Sequence, residues 1–309
     1  MSDERWLVTG ALGCVGAWIA RTLVDEGVGV VGFDLGDDDS RLRLIIEPER
    51  LEAVKLLRGD VTQLEQLGRA LDEYAITHVV HLAALLVPLA RRDPPHGALV
   101  NVVGTTNVFE AVKARRDRIR GLAYASSAAV YDVADAAAAL AAEDAVGHPA
   151  TVYGVHKLAN EGTARVYWLE DGLPSIGLRP YVVYGPGRDT GMTAGPTLAM
   201  AAAARGDPFM IGWSSRSTLN YAADTARAFV DAARRATEGA PAYNVPGETV
   251  HMREVVAAIE AAAPDARVDY EDVALPFPEQ FATGGLVAPV TPLAEGVRET
   301  IELFRLRAA

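Results

Sequence analysis

Cysteine is almost missing from this chain of 309 residues: Cys14 is the only one. No disulfide can form within the chain, and no zinc site built from several thiolates is possible. A reducing, cytoplasmic setting fits. Positive charge is also scarce, with 29 Lys and Arg against 41 Asp and Glu and a formal net charge of -12. Such a surface repels a phosphate backbone, which argues against a nucleic-acid partner. No apolar run is long enough to span a bilayer, so no membrane partner is expected. The alanine-rich stretches 134–145 and 199–207 are broken by charge and read as helix or loop. The opening MSDERWLVTG begins with charged residues and enters a strand-like run, without the pattern of a signal peptide. His78, His81 and His156 stand at no metal-like spacing with acids or cysteines, so no metal is expected. His81 reads as a packed strand residue and His156 as exposed or substrate-facing.

Apolar residues are plentiful, at 50% of the chain, enough for one large core and a smaller lobe. In the first half, short apolar runs alternate with helical segments: WLVTG, CVGAWIARTLVDEG, VGVVGFD, then THVVHLAA and GLAYASS further on. Strand, helix, strand in that order predicts an α/β protein with a doubly wound parallel sheet. LPSIGLRPYVVYGPGRD reads as one more strand followed by a Gly/Pro loop. Beyond it, prolines from Pro196 to Pro278 punctuate shorter elements. The expected division is 1–185 for a dinucleotide-binding domain and 186–309 for a substrate-binding lobe, with a segment near 218–236 returning to the first.

A glycine-rich turn follows the first strand: Gly10, Ala11, Leu12, Gly13, Cys14, Val15, Gly16. Strand, turn, helix and a second strand ending in Asp34 form the context in which such a turn binds a dinucleotide. Gly10 permits the tight turn, Gly13 admits a pyrophosphate to the helix N-terminus, and Gly16 allows close helix packing. A carboxylate at Asp34 suits an adenosine ribose and repels a 2′-phosphate. No arginine follows it directly, so NAD is expected rather than NADP. Cys14 reads as a small packing residue.

The stretch TVYGVHKLAN places Tyr153 and Lys157 one helical turn apart on one face. By themselves they read more readily as an ordinary exposed pair. Beside a dinucleotide turn they suggest a phenol whose pKa an ammonium lowers, for use as a general base.

In order along the chain come the glycine turn, Asp34, Gly59-Asp60-Val61, His81-Leu82-Ala83-Ala84, Asn101, Ser126-Ser127-Ala128-Ala129-Val130-Tyr131 and Tyr153-x-x-x-Lys157. Together they resemble the extended short-chain dehydrogenases/reductases, the group containing NAD-dependent sugar epimerases and dehydratases. The likeness is close from residue 5 to about 235. It implies a Rossmann-type domain with a C-terminal substrate lobe, and an enzyme. Ser127, Tyr153 and Lys157 would be catalytic, with Ser127 holding the substrate oxygen, Tyr153 moving the proton and Lys157 binding the nicotinamide ribose. Cofactor contacts would come from the glycine turn, Leu12, Cys14, Val15, Asp34, Asp60, Val61, Leu82, Ala83, Ala84, Asn101, Ala125, Ser126, Pro180 and Val183. Asn101 would also support a proton-relay water. Substrate would meet Leu86, Ser127, Ala128, Tyr153 and Arg188. A homodimer is implied, its surface supplied by apolar residues such as Val108, Val112, Val166 and Leu169, which could equally face the sheet.

Three departures narrow the chemistry. Dehydratases of this group carry Asp and Glu where Ala128 and Ala129 stand, so elimination of water lacks its acid and base. Val182 takes the place of an Asn common in nucleotide-sugar epimerases. Ser217 stands where an arginine clamps a diphosphate, and Arg216 lies one residue early. Arg188 offers another cation, suited to a carboxylate or phosphate or simply to solvent. The leading expectation is oxidation of a secondary alcohol on a sugar-like substrate, possibly nucleotide-linked, with hydride returned as in a 4-epimerase. The alternative is a simple dehydrogenase of a free sugar, sugar acid or other hydroxy compound that releases NADH. A non-catalytic NAD-binding regulator is the third reading, weakened by the retained Tyr/Lys pair.

Overall fold

The structure, a computed structural model, describes residues 3–131 and 147–308. The alanine-rich stretch 134–145 lies outside the described residues. The chain begins with β1 (Trp6–Thr9), α1 (Cys14–Asp25) and β2 (Val30–Asp34), followed by two short helices, α2 (Ser40–Ile45) and α3 (Pro48–Leu51). Next come β3 (Val54–Arg58), α4 (Leu64–Glu73), β4 (His78–His81), α5 (Val87–Arg92) and α6 (Pro94–Ala98). A π-helical turn over Leu99–Val103 leads into α7 (Gly104–Lys113) and β5 (Gly121–Ala125). A 3-10 turn (Ala128–Val130) precedes the long α8 (Val152–Asp171).

α8 is well bounded. Thr151 Oγ1 accepts a hydrogen bond from the Gly154 amide, and Gly172 closes the other end at φ +63°. β6 (Ile176–Arg179) and β7 (Val182–Tyr184) follow. The sequence reads this stretch as one strand, but it is two. Pro180 has no N–H to continue the ladder. β6 pairs with β5, whereas β7 pairs with β9 (Arg216–Tyr221) of a second sheet. The remaining elements are α9 (Gly195–Arg205), β8 (Pro208–Ile211), α10 (Ala222–Arg235), β10 (Ala242–Asn244), β11 (Glu248–His251), α11 (Met252–Ala262), β12 (Arg267–Tyr270) and α12 (Leu293–Ala308).

The main sheet has seven strands in the order β10-β6-β5-β4-β1-β2-β3, every pairing parallel. β1 and β4 are buried along their whole length, as a sheet covered on both faces requires. One face is packed by α1 and α10 around Trp6, Ile19, Leu23 and Phe229. The other is packed by α4, α7 and α8 around Leu71, Phe109, Val112 and Tyr124. A third core, around Met200, Trp213, Ile259 and Ile301, fills the lobe that holds the β11-β9-β7 sheet and the β12-β8 pair. Residues 216–221 belong to that second sheet, while α10 directly after them lies on α1 and the main sheet. Strand order reverses between β1 and β4, so the crevice at their carboxyl ends is the natural ligand site of the sheet.

One open alternative of position is resolved here and one expectation is corrected. Val108 and Val112 are buried against the sheet and cannot form an outer surface, whereas Val166 and Leu169 are exposed. His156 is buried, with Nδ1 3.4 Å from Asn101 Nδ2, and neither faces solvent nor reaches the crevice. Its place on the inner face of α8, over Gly97, explains this.

Candidate active site

A cavity of about 620 Å³ occupies the crevice. The glycine turn forms its floor at one end. Gly10 sits at φ +71°, and a Cβ there would lie 2.8 Å from the Ala83 amide nitrogen. Thr9 fixes the facing loop: its hydroxyl accepts from the Leu82 and Ala83 amides at 3.2 and 3.3 Å. His81 links Thr9 Oγ1 (2.7 Å) to Thr105 Oγ1 (3.0 Å) and is held neutral, its pKa pushed down to about 3 by burial and then by Lys157. A Cβ on Gly16 would lie 2.3 Å from the Gly10 carbonyl oxygen, so this glycine seats α1 on the turn itself. Gly13 differs from both. A Cβ there meets only Gly10 O, at 3.2 Å, and would otherwise project into open space. The first turn of α1 has no side-chain cap and no acid. Its free N–H groups and positive dipole end face the cavity.

At the tip of β2, Asp34 accepts from the Leu12 amide (3.0 Å) and the Gly36 amide (3.1 Å), leaving it at the rim as an acceptor. Asp60 and Val61 line the same end, and Leu82, Ala83 and Ala84 line the β4 side. Cys14 and Val15 border the cavity as packing residues. Burial pushes the Cys14 thiol up to about 12, so it is no nucleophile.

At the other end, three side chains of α8 meet the end of β5. Lys157 is buried, and its Nζ donates to the Ala125 carbonyl at 2.7 Å. That Nζ stands 5.5 Å from the centre of the Tyr153 ring. Tyr153 and Ser127 both line the cavity, with Ala125 and Ser126. The expected lowering of the phenol is absent. Burial pushes Tyr153 up to about 12, against smaller opposite pulls from the Ser127 hydroxyl and the Arg188 charge. Burial likewise lowers Lys157 to about 8, opposed by the charge of Glu161. The ammonium is spent on a carbonyl and desolvation dominates both groups.

Leu86, Pro180, Val183 and Arg188 also line the cavity. Arg188 donates to Thr193 Oγ1 at 3.2 Å and its Nε has no partner among the described residues. Asn101 and Ala128 do not line it. Asn101 is fully buried and grips the Leu85 peptide, accepting from its N–H (2.7 Å) and donating to its C=O (2.9 Å). It shapes the 82–86 loop from behind. Ala128 is covered within the small core around Tyr131. Val182 is fully buried in the lobe core, Ser217 is fully buried, and Arg216 is exposed, donating to the Thr249 carbonyl.

Sequence reasoning missed several residues that line the cavity or stand behind its wall. Arg41 reaches back to the Leu12 carbonyl (2.9 Å) and pairs with Asp189 (2.6 Å), tying the 185–191 loop across the glycine turn. Trp18 Nε1 donates to Pro186 O at 2.8 Å and adds a second tie. Phe277 arrives from the proline-punctuated tail, where no periodicity announced it. Glu161 had a signal, its spacing of four from Lys157.

The sequence pattern of the NAD dependent epimerase/dehydratase family matches residues 6–246. The chain belongs to that family. Its cofactor is NAD, and the cradle fits it: an uncapped helix N-terminus beside a glycine with space for an anion, and an acid, Asp34, at the tip of the second strand. UDP-glucose 4-epimerase of Mycolicibacterium smegmatis (strain ATCC 700084 / mc(2)155) is 31% identical over 97% of this chain and 98% of its own length. UDP-glucuronate 4-epimerase 2 of Arabidopsis thaliana is 34% identical over 58% of this chain. The match spans 42% of that protein, well under half its length. Among solved structures, the Thermus thermophilus UDP-glucose 4-epimerase complex with NAD shares the fold at TM-score 0.76 and 26% identity. That match covers 98% of this chain and 99% of the other. Among the described residues, no helix is long and apolar enough to cross a membrane, and no group of three potential metal ligands occurs.

Proposed function

We propose that this family member is a sugar 4-epimerase acting on a nucleotide-linked sugar. The observation that carries the reading is the placement of Ser127 and Tyr153 together on the cavity wall, with Lys157 over the same ring. The relatives with epimerase names support the substrate class. Ser127 Oγ holds the reacting hydroxyl, and Tyr153 Oη takes its proton and later returns it. Lys157 holds the nicotinamide ribose. Gly13 and the first turn of α1 hold the pyrophosphate, and Asp34 the adenosine ribose. Bound NAD supplies the hydride acceptor. Ala83, Ala84, Pro180 and Val183 keep water from the reacting face. Ala128 and Ala129 leave no acid for elimination.

A second reading, an NAD-linked dehydrogenase of a sugar acid, is favoured by one observation. The clamp position holds buried Ser217 and Arg216 points away, while Arg188 stands within electrostatic reach of Tyr153. A guanidinium so near the reacting hydroxyl suits a carboxylate on the adjacent carbon. We assign the cofactor mainly to residues 1–185 and the substrate mainly to 186–309, a division supported by the lobe's own core but crossed by α10 and β10, which return to the main sheet, and by β7, which pairs in the second sheet. We also place the protein in the cytoplasm as a homodimer. Exposed Val155, Val166 and Leu169 on α8 support the pairing surface. Sedimentation showing only monomer at micromolar concentration would refute the dimer.

Incubation with NAD and UDP-glucose, UDP-glucuronate or free sugar acids separates the readings. Epimer without net NADH supports the first. NADH accumulating in step with substrate loss supports the second. Neither product with any substrate refutes both.

A further inference from the structure

Tyr153, Lys157 and Glu161 stand at successive turns on one face of α8. Their partners are three successive residues at the end of β5. Tyr153 stands with Ser127 on the cavity wall, Lys157 bonds the Ala125 carbonyl, and Glu161 Oε1 accepts from Ser126 Oγ. The strand end that presents Ser127 is thus laid along the helix, and Glu161 holds the middle residue. Arg179 of β6 grips Glu161 from the other side, its Nε and Nη2 each donating at 2.7 Å. Its Nη1 donates to Tyr131 Oη at 2.6 Å. The pair is deeply buried, with side-chain exposures of 5% for Arg179 and 11% for Glu161.

A buried ion pair is weak evidence for stability, because desolvation offsets most of the attraction. Its placement, one turn beyond Lys157 and one residue before Ser127, points to another task. We propose that Glu161, held by Arg179, is a positioning residue for the site. It supplies the counter-charge for the Lys157 ammonium and fixes the strand end that carries Ser127. This rests on the reading of Lys157 as the residue that holds the cofactor's ribose.

The groups around Lys157 leave Glu161 in that role. On α8 itself they are Tyr153, His156 and Glu161. From β4 comes His81, kept neutral by burial. From β6 comes Arg179, engaged with Glu161. The turns at 99–103 and 128–130 bring no ionisable side chain. Arg91 and Arg92 of α5 and His96 of α6 are exposed. Glu110 and Lys113 of α7 sit with Tyr167 and Asp171 at the far end of α8. Loss of the carboxylate removes the charge that opposes desolvation of Lys157, so the ammonium loses its proton at lower pH.

The test is NAD affinity against pH by calorimetry, a readout that needs no turnover. Wild-type affinity should fall as pH rises through about 8, where Lys157 loses its proton. In Glu161→Gln the midpoint should move down by about one pH unit, with affinity recovering in weak acid. Glu161→Gln leaves Arg179 buried without its partner, which can prevent folding. The double variant Glu161→Met with Arg179→Met removes both charges, and its midpoint should move in the same direction by a smaller amount. A purely structural role would weaken binding by one factor at every pH. An unmoved midpoint in a folded variant overturns the proposal. Lys157→Ala distinguishes the failures: if it keeps the wild-type pH dependence, the ribose assignment of Lys157 fails, and the proposal with it.

Discussion

Removal of one oxygen from Tyr153 tests the chemistry most directly. In the free protein this phenol sits at about 12, raised by burial. At pH 7 that is about five units above neutrality, a cost of about 7 kcal/mol for the phenolate and a population near one in 10⁵. The free protein therefore holds a proton donor and no ready base. Two groups can favour the phenolate once the site fills. The Lys157 ammonium, 5.5 Å from the ring centre, is tied to the Ala125 carbonyl and can be redirected; Arg188 already pulls in that direction. Tyr153→Phe should reduce kcat by about two to four orders of magnitude while NAD affinity stays within about twofold. The assay pairs turnover of an identified substrate with calorimetry of NAD. A second measurement follows tyrosinate absorbance against pH, as the difference between wild type and Tyr153→Phe. Without NAD, the difference should be silent below about pH 10; with NAD it should appear at lower pH. Near-normal turnover in Tyr153→Phe would refute the mechanism. A tyrosinate difference near neutrality without NAD would refute the burial argument.

Gly13→Ala should fold normally, because its Cβ meets only Gly10 O at 3.2 Å, yet lose NAD affinity at least about tenfold; thermal unfolding with and without NAD separates the effects. Gly10→Ala, at φ +71° with a Cβ 2.8 Å from the Ala83 nitrogen, should instead lower the melting temperature even without NAD. NAD should bind more tightly than NADP, since Asp34 lines the ribose end and Arg41 is engaged by Asp189 and the Leu12 carbonyl; equal affinities by calorimetry would refute this. Buried neutral His81 lowers stability in acid. Its folded pKa of about 3 lies below the ordinary 6.5, so the unfolded state binds the extra proton between those values. Stability is complete above 6.5 and erodes as pH falls, by about 2 kcal/mol at pH 5, and His81→Gln should flatten that slope in melting curves.

The alternation of strand and helix, the glycine turn and the Tyr153–Lys157 spacing are local patterns, and local patterns are legible in a sequence. They gave the parallel sheet and most of the residues that line the cavity. Of the proposed contacts, only Asn101 and Ala128 fall outside the cavity lining. Asn101 acts one layer back through the Leu85 peptide, a distinction that no spacing encodes. Tertiary structure alone decided the rest. The split of 176–184 into strands of two different sheets depends on which partner each half finds after Pro180. β10 joins the main sheet from residues 242–244, far along the chain from its neighbour β6. Arg41 meets Asp189 across 148 positions, and Phe277 reaches the cavity from the tail. The protonation of Tyr153 was also beyond sequence. Its spacing from Lys157 predicts a lowered phenol, but the pKa follows from how much water reaches the oxygen and where the ammonium points. Both are properties of packing between α8 and the end of β5, and they raise it.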